Sequence, residues 1–238
     1  MTRPRLSRAV EAQEAVKEII VRRGLVAGDP LPTESELMEE LGISRNSVRE
    51  ALKALQAVGI VDIRHGFGMF VGRMSLTGLV DELAFHSRIT LQDGATHLEH
   101  LVEIREILEM GLVRRLCDLP DADLGPVAKV MARMEAEALL GDVSPEIDRQ
   151  FHDVLYRPLD NPLVSQLLGA FWDVYYQLRD HLGAPDESPQ DVARRHGDIY
   201  AAVLAGDKEA AVTAVSAHFH GVRNRLARLR PHQGDPVT

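Results

Sequence analysis

The chain has 238 residues, 45% of them apolar and 26% charged, the balance of an ordinary globular protein with room for two domains. Aromatic residues are only 5%, so the core must rest on Leu, Val, Ile, Ala and Met, which favours helices over a β-sandwich. A single cysteine, Cys117, excludes a disulfide framework and a multi-cysteine zinc site.

No apolar run approaches the roughly 18 residues needed to span a bilayer. The start, MTRPRLSRAVEAQE, has charge but no apolar leader segment. The expectation is a cytoplasmic protein without a membrane partner. The net charge of −9 is unevenly spread: residues 1–75 hold eleven Lys and Arg against ten Asp and Glu, and the remainder sixteen against twenty-six. The first third is spared the acidity that would repel a polyanion.

Val10, Val16, Ile19 and Ile20 share one side of a helix predicted from about Ser7 to Arg23 and stopped by Gly24. Arg3, Arg5 and Arg8 ahead of it read as a basic start or a phosphate-touching arm. Thr33 and Glu36 form a capping-box pattern opening a short helix that Gly42 ends. Ser44 caps the next helix, which runs to about Val58, with Val48, Leu52 and Leu55 as its buried stripe. The period then changes. Ile60, Val61 and Ile63, then Met69, Phe70 and Val71, flank Arg64-His65-Gly66-Phe67-Gly68 as a glycine-tipped hairpin.

Helix, short helix, turn, helix, hairpin is the order of a winged helix-turn-helix. Such a module offers base edges the polar side chains of its second helix, here Arg45, Asn46, Ser47 and Arg49, with Ser44 able to reach a phosphate. Gly66 and Gly68 let the wing tip approach the DNA backbone, and His65 or Arg64 could enter the minor groove. Arg45, Arg49 and Lys53 at four-residue spacing also fit a plain solvated helix face.

Residues 31–71, LPTESELMEELGISRNSVREALKALQAVGIVDIRHGFGMFV, resemble the DNA-binding domain of the GntR family of bacterial regulators. The resemblance implies DNA contacts from Arg45, Asn46, Ser47, Arg49, His65 and Gly66. The chain departs from the family at Ser35, where arginine is common, so one phosphate contact is weakened or lost.

Beyond a linker near residues 74–77, helices are predicted at 78–88, 95–118, 121–140, 145–157, 162–182, 189–205 and 208–229. Ser144-Pro145, Asn161-Pro162 and Ser188-Pro189 each pair an N-cap with proline at the first helical position. Asp148 and His152, at i and i+4, project from one helix face. His196 and His218 flank the Gly206-Asp207 turn, each roughly 15–18 Å from it along its helix. An antiparallel pair would set them level. Three imidazoles and a carboxylate suit zinc, nickel, manganese or iron, although Asp-x-x-x-His also arises by chance.

An all-helical segment behind a GntR-type winged helix is similar to the FCD effector domain of the FadR subfamily. That resemblance implies metal ligands at Asp148, His152, His196 and His218. It also implies a pocket-facing arginine at Arg105, within Glu103-Ile104-Arg105-Glu106-Ile107-Leu108-Glu109, that clamps a carboxylate effector. Pairing with Glu109 on the helix surface is the plain alternative for Arg105. Trp172, Tyr175 and Tyr176 are ordinarily core at their spacing, and Arg179 beside them is kept as an effector candidate.

The expected architecture is mainly α. A winged helix-turn-helix (1–73) is followed by a linker (74–77), an all-α effector and dimerisation bundle of about seven helices (78–229) and a tail (230–238). The expected function is a regulator rather than an enzyme: a homodimeric repressor on a palindromic double-stranded operator. It would carry one divalent metal per chain, zinc first, and be released by a small organic acid. The rival readings are a structural metal with an acyl or apolar effector elsewhere, and a metalloenzyme built on three His and one Asp.

Overall fold

The computed structural model describes residues 8–91, 95–185 and 187–229. Arg3, Arg5, the helix start at Ser7 and the tail 230–238 lie outside the described residues. The chain divides into two compact units that part between Gly78 and Leu79.

The first unit holds α1 (Arg8–Arg22), α2 (Glu34–Leu41), α3 (Arg45–Ala57), β1 (Val61–Arg64) and β2 (Gly68–Val71). Thr33 and Glu36 close the capping box: Thr33 N–H donates to Glu36 Oε2 at 2.7 Å, and Glu36 N–H donates to Thr33 Oγ1 at 3.3 Å. Gly42 ends α2 at φ 63°, a left-handed conformation that costs glycine nothing. Ser44 then caps α3 by accepting from Ser47 N–H at 3.2 Å. Val16 and Ile19 of α1, Leu37 of α2, Val48, Leu52 and Leu55 of α3 and Val61 of β1 meet in one core.

The strands pair antiparallel with Val61 opposite Val71 and Arg64 opposite Gly68. The segment before α2 extends this ribbon, because Leu31 N–H donates to Met69 O and Val71 N–H to Asp29 O. Gly72 must be glycine, since a Cβ there would lie 1.9 Å from the Gly59 carbonyl oxygen.

Eight α-helices among the described residues build the second unit, the first of them starting two residues ahead of the boundary. They are α4 (Thr77–Thr90), α5 (Thr96–Cys117), α6 (Gly125–Leu139), α7 (Pro145–Leu155), α8 (Pro162–Leu178), α9 (Pro189–Leu204), α10 (Lys208–His218) and α11 (His220–Ala227). Ser144, Asn161 and Ser188 cap α7, α8 and α9 ahead of their prolines, and Asp207 caps α10. α5 packs against α8, α9, α10 and α11, α9 packs against α10, and α6 packs against α7 and α9. Phe151, Phe219, Leu98, Leu116, Met134 and Leu168 are fully buried between them.

The helix expected over 208–229 is two helices that meet at Phe219. Ser216 O and Ala217 O, which an unbroken helix would offer to the amides of residues 220 and 221, are taken by side chains instead. Arg223 Nη2 donates to Ser216 O at 2.9 Å, and Arg195 Nη1 donates to Ala217 O. Side chains inserted into the backbone ladder bend a helix at that point. The helix expected over 162–182 likewise ends at Leu178, and Arg179–His181 form a single 3-10 turn.

Candidate metal centre and nucleic-acid interface

α7 presents Asp148 and His152 one turn apart, α9 presents His196, and the last residue of α10 is His218. One ligand atom from each of these four residues can be chosen so that all lie within 4.8 Å of one another. Donors on one ion with bonds of about 2.0–2.2 Å lie at most about 4.4 Å apart, so a contraction of a few tenths of an ångström brings the four onto a shared ion. The His196 and His218 rings are 4.4 Å apart, and the His152 and His218 rings 5.1 Å apart. His152 and His196 are fully buried, beneath Phe151.

The proton count favours a cation here. His196 Nδ1 lies 2.7 Å from Val192 O, and its Nε2 lies 2.7 Å from Asp148 Oδ1. A neutral imidazole has one N–H and cannot satisfy both acceptors, so the site calls for a positive charge there, either a second ring proton or a metal ion shared with the carboxylate. His152 Nε2, 3.5 Å from Asp148 Oδ1, is a buried nitrogen with no hydrogen-bond partner. An orphaned buried nitrogen next to a carboxylate, in a three-nitrogen, one-oxygen donor set, fits a divalent transition metal.

Electrostatics distinguish Asp148, His218 and His152. Burial opposes ionisation of Asp148, yet the His196 and His152 charges hold its carboxyl well below the usual range. Burial, joined by repulsion from His196 and His152, pushes His218 well below 6.5. Burial also disfavours charge on His152, but Glu109 and Asp148 overcome it and raise that imidazole above 6.5.

Glu109 is the residue that sequence reasoning missed as part of this centre. It is fully buried on α5; its Oε1 accepts from Arg105 Nε at 2.6 Å, and its Oε2 lies 2.7 Å from His152 Nδ1 and accepts from Tyr156 Oη at 3.1 Å. Burial alone would raise its carboxyl, but the neighbouring His152 and Arg105 charges hold it far below the usual range. The Arg105–Glu109 pair considered for the helix surface therefore exists, but in the interior. Only the i,i+4 spacing to Arg105 signalled Glu109, and that spacing gave no hint of His152.

His196, His218 and Asp148 line a cavity of about 580 Å³, together with Arg105, Trp172 and Arg179. The Arg105 guanidinium lies 5.5 Å from the Trp172 ring centre and 5.3 Å from that of Phe219, and its Nη2 has no hydrogen-bond partner. Arg179 is half-exposed, 5.0 Å from the centre of the Tyr176 ring and 3.5 Å from Asp180.

In the first unit, Ser44, Arg45, Asn46 and Arg49 are exposed at the N-terminal end of α3, and Ser47 is partly covered. Ser44 and Ser47 hydroxyls hydrogen-bond each other at 2.9 Å. Arg49 pairs with Glu34 of α2, a partner the sequence did not suggest. His65 and Gly66 are exposed at the hairpin tip, where Gly66 has φ 80°. Arg64 is turned back, pairing with Asp62 at 2.8 Å and lying 4.4 Å over the Phe70 ring.

Residues 8–71 match the family described as bacterial regulatory proteins, gntR family, and residues 100–221 match the FCD domain. The HTH-type transcriptional regulator LutR of Bacillus subtilis (strain 168) is 28% identical over 209 residues, 85% of this chain and 94% of that protein. The HTH-type transcriptional repressor NanR of Citrobacter rodentium (strain ICC168) is 30% identical over 233 residues, 93% of this chain and 85% of that protein. A solved GntR structure from Streptococcus agalactiae shares the fold, with a TM-score of 0.64 at 22% identity over 91% of this chain and 99% of that one. The chain belongs to the GntR family of bacterial transcription regulators, with an FCD domain behind its helix-turn-helix, an architecture consistent with the FadR subfamily.

Proposed function

We propose that this regulator is a repressor whose grip on DNA is set by a small organic acid bound beside a divalent cation. Residues 1–73 serve as the DNA-reading domain and residues 78–229 as the effector and dimerisation domain. Two copies present their α3 helices and wings to a palindromic operator, with Ser44, Arg45, Asn46, Ser47, Arg49, His65 and Gly66 as the contacts. Asp148, His152, His196 and His218 hold the cation, zinc first among zinc, nickel, manganese and iron.

The carrying observation is that three of the four cluster residues, Asp148, His196 and His218, form part of the wall of a cavity also lined by Arg105, a cation with an unpartnered N–H. A bound divalent metal supplies open coordination positions for carboxylate or hydroxyl oxygens. Arg105 neutralises the acid's charge, and Arg179 adds positive charge at the half-exposed edge. The acid acts on DNA binding only through unequal affinity for two arrangements of the dimer.

The test is release from an operator fragment, followed by fluorescence anisotropy, under lactate, gluconate and citrate. Release by metal-loaded wild type, and its loss in His218→Ala, is the expected result. Release that survives chelation of the metal would overturn the reading in favour of a structural metal and an effector site elsewhere.

A further inference from the structure

Glu109 uses its two carboxylate oxygens on two different partners. Oε1 takes Arg105 at 2.6 Å, while Oε2 faces His152 Nδ1 at 2.7 Å and Tyr156 Oη at 3.1 Å. The arginine lines the cavity, and the imidazole belongs to the four-residue cluster. One fully buried carboxylate, 0% exposed, thus stands between the anion-binding side chain and a cation ligand. Burial keeps bulk solvent away from it, so a change at one oxygen is felt at the other with little screening.

We propose that Glu109 is a positioning residue that couples occupancy of the cavity to the strength of the metal site. The proposal rests on the metal reading given above. With Arg105 on Oε1, part of the Glu109 charge is neutralised and its pull on the His152 Nδ1–H is reduced. An anion that draws Arg105 away leaves the full carboxylate charge facing His152 and Tyr156. Oε2 lies within reach of Nδ1 but out of line for a hydrogen bond, so the full charge draws the Nδ1–H into alignment. A carboxylate that accepts it makes the opposite ring nitrogen a better ligand and fixes the ring's tautomer and orientation. Anion and metal therefore reinforce one another even where they share no direct bond, and by linkage each raises the other's affinity by the same factor.

The experiment is a double-mutant cycle on zinc affinity, measured at one fixed pH by competition with a chromophoric chelator. Wild type, Arg105→Gln, Glu109→Gln and the double variant are compared, with circular dichroism confirming that each is folded. Arg105→Gln imitates removal of the guanidinium from Oε1. Glu109→Gln lowers zinc affinity by about 10–100-fold, the usual effect of removing a ligand's outer-shell partner. Arg105→Gln raises it several-fold.

Losing the arginine also removes a positive charge near the site, a direct effect that would persist without Glu109. The double variant separates the two: the proposal expects the gain from Arg105→Gln to shrink in the Glu109→Gln background to that direct part alone. Additive effects would overturn the coupling while leaving the metal site standing. Failure of wild type itself to bind zinc would remove the metal reading and this inference together. If Glu109→Gln alone does not fold, the neutral double variant and Tyr156→Phe carry the comparison. Tyr156→Phe frees Oε2 for His152, and an unchanged cobalt absorption spectrum in that variant would count against the proposal.

Discussion

Nε of Arg49 donates to both carboxylate oxygens of Glu34, at 3.0 and 2.9 Å, fastening the exposed face of α3 to the first turn of α2. The contact orients the guanidinium through Nε and leaves its two terminal nitrogens to reach outward. Both partners are substantially solvated, so the pair contributes only about 0–1 kcal/mol to stability. Arg49→Ala and Arg45→Ala are therefore expected to melt within about 1 kcal/mol of wild type. Each should nevertheless lose about 1–3 kcal/mol of operator affinity, the worth of a specific arginine–base contact. Anisotropy on a fragment selected from random DNA by the wild-type protein measures the loss. Wild-type affinity in both variants would take this face of α3 out of the interface.

The cluster of Asp148, His152, His196 and His218 leads to a second expectation. Purified wild type should carry close to one divalent metal per chain by elemental analysis, and His218→Ala should carry little. Ligands that bind only the folded state stabilise it by mass action, by about 2.7 kcal/mol at a free concentration 100 times the dissociation constant. Zinc should accordingly raise the melting temperature of wild type and leave that of His218→Ala nearly unmoved. Equal metal content in the two proteins would mean that the ligand set is wrong.

Much of the architecture was legible because its signals are local. Thr33 with Glu36, Ser44 with Ser47, and the three serine or asparagine caps before proline act within three residues of themselves, so a one-dimensional reading finds them. Asp148 and His152 share a helix face for the same reason. Contacts set by tertiary packing were not legible. Glu109 meets Tyr156 across 47 positions, and Arg49 meets Glu34 across 15. The interruption at Phe219 has no proline or glycine at the break itself; Arg195 of α9 and Arg223 of α11 take the carbonyls that would have continued α10.

Opposed shifts at His152 and His218 give the metal-free protein a distinctive dependence on pH. His152 is raised above its unfolded value of 6.5, so its contribution is fully present below 6.5 and is lost as pH rises through its folded value. His218 is depressed well below 6.5, so the unfolded chain binds its proton first and stability falls as pH drops beneath 6.5. The depressed Asp148 and Glu109 carboxyls add a further loss as pH falls below their unfolded values of 3.8 and 4.5. Metal-free protein should be most stable near pH 6.5. Metal needs neutral imidazoles, so zinc should move the optimum upward and stabilise more at pH 8 than at pH 6. Thermal melts from pH 5 to 8.5, with chelator and with zinc, provide the check. A metal-free curve that rises steadily across this range would contradict the opposed histidines.

Arg105 and Arg179 both line the cavity, but in different surroundings. Arg105 has a side chain 11% exposed, sits between the rings of Trp172 and Phe219, and carries an Nη2 without a partner. Arg179 is 41% exposed beside Asp180. A hydrogen bond to a charged group in the interior contributes about 1.5–3 kcal/mol, whereas an exposed ion pair contributes about 0–1 kcal/mol. Arg105→Ala should thus shift the effector concentration for half-release from the operator by roughly ten- to a hundredfold, and Arg179→Ala by about fivefold at most. Glu109 keeps His152 and Tyr156 as partners when Arg105 is removed, so metal content and operator binding without effector should be retained. Release curves for the two variants with the same acid decide the matter. A larger shift in Arg179→Ala than in Arg105→Ala would place the acid at the mouth of the cavity, away from the cluster.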